Sequence, residues 1–160
     1  MKRLETLTPP LAAKMHNASA APLRAACLAA AEFAIAHSGL EHPAVECVLE
    51  KLRKGEGASQ EELEKVQVLA TELDMKYLNL QSVAEKGPQG FDMPPSSDSI
   101  KEYMLIWQKA VAASALCFAA GSNAYESAIE STYDAAIIAE ADDRRRFLDR
   151  IEAILANRQQ

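Results

Sequence analysis

The sequence predicts an all-α protein, a single-domain bundle of about six to seven helices around a central alanine-rich helix. Between Ala110 and Gly121 the only polar side chain is Ser114. At about 100° per residue those apolar residues cover every side of a helix, which must then be enclosed by other helices. Helix formers are frequent and glycine is scarce, at 6 residues in 160, while runs of Val, Ile and Thr alternating with polar residues are few. Aromatic residues supply only 6% of the chain against 49% hydrophobic residues, so small aliphatic side chains must fill the core.

Residues 1–21 are expected to be a mobile lead-in with a short helix over Pro10–Asn17. The first long helix is placed at Pro22–His37, with Leu23, Ala26, Cys27, Ala30, Phe33 and Ala34 on one side and Gly39 as its left-handed stop. Pro43 opens a helix to Lys54 whose stripe is Val45, Val48, Leu49 and Leu52; Gly55 ends it. Ser59 and Glu62 form a capping box for a long helix to Lys86. Its seam, Leu63, Val66, Ala70, Leu73, Tyr77 and Leu80, alternates three and four, the spacing of near-parallel or antiparallel helix packing. Three prolines and two glycines make 87–97 one long irregular loop. Ser99 and Glu102 supply a second capping box for the central helix. Gly121-Ser-Asn allows a break, and helix resumes to Glu140. Asp142 or Asp143 is expected to cap a last helix carrying Phe147, Leu148, Ile151, Ile154 and Leu155. No Gly or Pro marks that last boundary, so one continuous bent helix stays open as an alternative.

The formal net charge of −6 argues against nucleic acid as a direct partner, because phosphate binding needs a concentrated basic surface. Arg144-Arg145-Arg146 follows Asp142-Asp143 and reads as a solvated face with internal ion pairs. Cys27, Cys47 and Cys117 lack metal-site spacing and read as buried free thiols in a reducing compartment. The first residues lack the apolar core of a signal peptide, and Ala110–Ala120 is too short to span a bilayer. A cytoplasmic protein with no membrane partner is the expectation.

Glu126, Glu130 and Asp134 recur every four residues and form an acidic line, with Tyr133 at its edge. Such a line can be a solvated face, a docking face for a cationic partner, or a set of metal ligands. A carboxylate metal site in a bundle also needs Glu-x-x-His elements from facing helices, which are absent, so no metal or cofactor is expected. His16, His37 and His42 are scattered, with capping of terminal carbonyls expected of His37. None has a Cys or Ser partner at recognisable spacing, so no catalytic residue is assigned.

The segment from His42 to Leu63 joins a Pro-led helix, a basic last turn, a Gly-Glu turn and a Ser-capped helix. Together with Ala112-Ala-Ser-Ala-Leu-Cys-Phe-Ala-Ala-Gly-Ser-Asn-Ala-Tyr125, it resembles small all-helical immunity proteins of bacterial toxin systems, over residues 22–157. The resemblance carries over no functional residue. It implies a non-enzymatic protein that neutralises a toxin by binding it, with an acidic surface covering a basic toxin. Under that reading Glu126, Glu130, Asp134 and Tyr133 bind the partner. The alternative is a helical adaptor or homo-oligomeric scaffold, a homodimer for example, joined through the Leu63–Leu80 seam.

Overall fold

A computed structural model describes residues 2–86 and 97–157. Its described residues form eight helices and no strand: α1 (Arg3–Leu7), α2 (Pro9–His16), α3 (Ala20–Ser38), α4 (Pro43–Arg53), α5 (Gln60–Lys86), α6 (Ser97–Ala119), α7 (Ala124–Ile137) and α8 (Ala141–Ala156). The fold is all-helical. The expected irregular loop at 87–97 falls, up to residue 96, outside the described residues.

Eight helices appear where six to seven were expected: the short helix expected at Pro10–Asn17 is α2, Arg3–Leu7 adds α1, and the lead-in is itself folded. Leu4, Leu11, Ala12 and Met15 are buried in the main core, so α1 and α2 belong to the bundle. Pro9 and Pro10 separate them: proline suits a first helical turn but cannot continue a preceding one.

The turns further along follow from local chemistry. Gly39 (φ 69°) and Gly55 (φ 72°) end α3 and α4 in the left-handed region that a β-carbon disfavours. His42 caps α4 by accepting the Ala44 amide on Nδ1 at 3.1 Å. The Ser59–Glu62 capping box is formed both ways, Ser59 Oγ accepting from the Glu62 amide at 3.1 Å and Glu62 Oε1 from the Ser59 amide at 2.8 Å. Helix α6 starts at Ser97, which puts Ser99 inside the first turn instead of at the cap.

The break before α8 has a cause that composition hides. Arg144 reaches back to the end of α7 and the turn after it, donating from Nε to Ala136 O at 2.8 Å and from Nη2 to Ala139 O at 3.1 Å. The helix end is thus satisfied without glycine, and Glu140, not an aspartate, stands at the N-cap.

Helices α3, α6 and α7 pack on one another at the centre, so α6 shares that place with two others. Ala26, Ala30, Ala31 and Ala34 of α3, Ala112, Ala113, Ala115 and Ala119 of α6, and Ala128, Ala135 and Ala136 of α7 are wholly enclosed. With only a methyl group at each contact, the three axes can approach closely and pack at interior density. Leu116, Ile129 and Ile151 supply larger volumes to this core. The Leu63–Leu80 seam of α5 is spent within the chain, since α5 lies along α6 and Val66 is fully buried. The expectation that α6 is enclosed on every side needs correction: Phe118 is 39% and Leu105 53% exposed, although Leu116 between them in sequence is sealed. No helix among the described residues is long and apolar enough to cross a membrane.

Candidate functional site

The acidic line lies on α7, where the Asn123 side chain caps the first turn by accepting the Glu126 amide at 2.9 Å. Residues four apart share one side of a helix, so Glu126, Glu130 and Asp134 form a column. That column descends from solvent into the bundle. Glu126 is exposed, Glu130 is half-buried and Asp134 is 3% exposed, so the line is not a solvated face along its whole length. Asp134 is buried because the column runs under α1 and beside Ser114 of α6.

The cations facing this column come from the N-terminus. Lys2 Nζ stands 3.3 Å from Glu126 Oε1. Arg3 donates to Glu130 Oε2 from Nε at 2.8 Å and also from Nη2. The same Nη2 is 3.2 Å from Asp134 Oδ1, while Oδ2 accepts from Ser114 Oγ at 3.0 Å. The guanidinium carbon of Arg3 lies 4.4 Å from the centre of the Tyr133 ring and 5.7 Å from that of Phe118. A planar cation between carboxylates and over an aromatic face is the arrangement arginine satisfies better than lysine.

Burial pushes the Asp134 carboxyl up to about 6, with the Glu130 charge adding to the effect and Arg3 and Ser114 opposing it. Two open clefts flank the guanidinium. One, of about 670 Å³, is bordered by Lys2, Phe118, Asn123, Glu126 and Glu130; the other, of about 440 Å³, by Asp74, Trp107 and Asp134. Arg3 and Ser114 line both.

The sequence reading brought together Glu126, Glu130, Asp134 and Tyr133 and missed Arg3 and Ser114. Leu4, Leu7, Leu11 and Met15 fall at helical spacing and could have shown that the N-terminus packs. Which helix it would cover was not readable.

Other candidates are spread out. His16 meets Tyr125 edge-on, and His37 stacks on Phe33 while the Gly39 amide closes α3 onto Ile35 O. Among the described residues no three His, Cys, Asp or Glu side chains are placed to hold a metal ion. Cys27 is buried and Cys117 half-buried, and burial raises both thiols to about 11. Cys47 departs from expectation: it is exposed, with Sγ 2.8 Å from Glu62 Oε2. Arg145 and Arg146 pair with Asp142 and Asp143 on a solvated face.

Comparison of this chain with family models, with curated proteins and with solved structures gave no match.

Proposed function

We propose that this chain is a non-enzymatic protein-interaction module whose carboxylate column receives an arginine from a basic partner. One observation carries the reading. The column already holds a guanidinium, that of Arg3, gripped by Glu130 and Asp134 and covered by Tyr133. A competing arginine would gain the same contacts, with the flanking clefts giving it access beside Arg3. Arg3 is then an internal occupant that a partner displaces, and displacement makes affinity depend on the whole contact and not on one charge.

The resemblance to immunity proteins gives the partner a class, a bacterial toxin with a basic surface. Acidic groups opposite a basic active site speed encounter and fix register. The test is growth protection against a toxin encoded beside this gene. The native chain should protect, and E126K/E130K should not, with its helicity retained. Protection that survives the double change overturns the reading. Asp134 is left intact in this test because its burial makes a charge reversal there an unfolding mutation.

A scaffold joined through Leu63–Leu80 has less support, since that seam already packs against α6. The opposite side of α5 is a separate matter.

A further inference from the structure

We propose that the outer side of α5 pairs with the same side of a second copy of this chain, the two helices antiparallel about an axis at Asp74. Val68 (56% exposed), Met75 (60%), Leu78 (52%) and Val83 (72%) are large apolar side chains in solvent on one helix. At about 100° per residue Val68 and Met75 lie in line two turns apart, with Leu78 and Val83 to either side of that line. Among the described residues none covers these side chains, although Met75 also borders the cleft beside Arg3 and Val83 lies next to Leu80 at the edge of the seam. A shallow groove of about 390 Å³ runs beside Met75, Leu80 and Val83, bordered by Glu72, Lys76 and Asn79.

Charge selects the occupant. Glu72 and Lys76 flank Met75, and neither makes an ion pair among the described residues, although Lys65–Glu61 does so at the same spacing on this helix. In an antiparallel pair centred at Asp74, Glu72 of each copy faces Lys76 of the other, twice over. Val68 then lies against the Leu80–Val83 end of its counterpart. The contact is isologous and closes on itself, so it stops at two copies. A parallel pair in register would set Glu72 against Glu72 and Lys76 against Lys76. The contact is one helix wide, at the small end of specific interfaces, so a weak and concentration-dependent dimer is expected. It uses none of the carboxylates of the Arg3 column, which lie on α7, although Met75 borders one of the clefts beside Arg3.

Sedimentation velocity on the full chain, from about 1 to 200 µM, tests this, a span in which weak dimers are seen. The native chain should pass reversibly from monomer to dimer. M75E should weaken the dimer at least about tenfold, and so should E72K or K76E alone. The exchange E72K/K76E should restore it, because each lysine again faces a glutamate. All three positions are exposed, and unchanged circular dichroism verifies the fold. A chain that stays monomeric throughout, a dimer indifferent to E72K, or an exchange variant that fails to re-form it would each overturn the proposal.

Discussion

Arg3 Nη2 lies 3.2 Å from Asp134 Oδ1, joining the first helix of the chain to the seventh. The contact sets a half-exposed cation against a buried carboxylate, so its two ends are not equivalent. Removing the cation strands the anion, whereas removing the anion leaves Arg3 its second acceptor on Glu130.

Arg3→Ala should therefore destabilise the fold by about 1–2 kcal/mol, the solvent exposure of Arg3 keeping the loss below that of a fully buried pair. Urea unfolding at neutral pH measures it. The emptied seat should also bind Nα-acetyl-L-arginine amide, with a saturable rise in midpoint that the native chain does not show. A variant indifferent to this probe would mean that the seat recognises nothing beyond its own N-terminus.

The pH dependence of stability carries the mark of Asp134. Its folded pKa of about 6 stands above the unfolded value of 3.8, so the fold holds the proton more tightly than the unfolded chain. The stability this group contributes is fully present below pH 4 and is lost as pH rises through 6. The loss amounts to at most about 3 kcal/mol. D134N, which cannot ionise, should lack this loss. The difference in unfolding free energy between the two proteins, followed from pH 4 to 8, should shift toward D134N as pH rises.

Helices were legible where apolar periodicity and caps agree. Ser59–Glu62, Gly39, Pro43 and Gly55 each act through a neighbour within a few residues, and such chemistry survives in sequence. Arg144 closing α7 was not legible, because an arginine among aspartates looks like a solvated charge until its carbonyl partners are known. The acidic column was visible as spacing, but its descent from Glu126 to buried Asp134 depends on where α1 lands. Composition also could not distinguish an enclosed α6 from one with Phe118 and Leu105 in solvent.

Cys47 is exposed yet should react slowly. Its hydrogen bond to Glu62 favours the protonated thiol, while the same bond, with those from Lys51 and Ser59, holds Glu62 well below the usual carboxylate range. E62A removes the acceptor and leaves Lys51 nearby. Alkylation of Cys47 by iodoacetamide at pH 8 should then quicken several-fold, with the site confirmed by peptide mass spectrometry. An unchanged rate would show that the Glu62 contact does not control the thiol.

The turn from α6 into α7 depends on a missing methyl group. A β-carbon at Gly121 would stand 2.6 Å from Ser127 Oγ and 3.1 Å from the Phe118 carbonyl oxygen. Ser127 is buried, which limits its room to retreat. Gly121→Ala should accordingly cost about 1–3 kcal/mol through overpacking. Adding Ser127→Ala removes the nearer obstacle but not the carbonyl, so the double variant should recover part of the loss. Thermal unfolding of the four proteins gives the coupling directly. Additive effects would mean that the helix pair relaxes around the added methyl group, whereas positive coupling would identify the Ser127 side chain as what restricts position 121 to glycine.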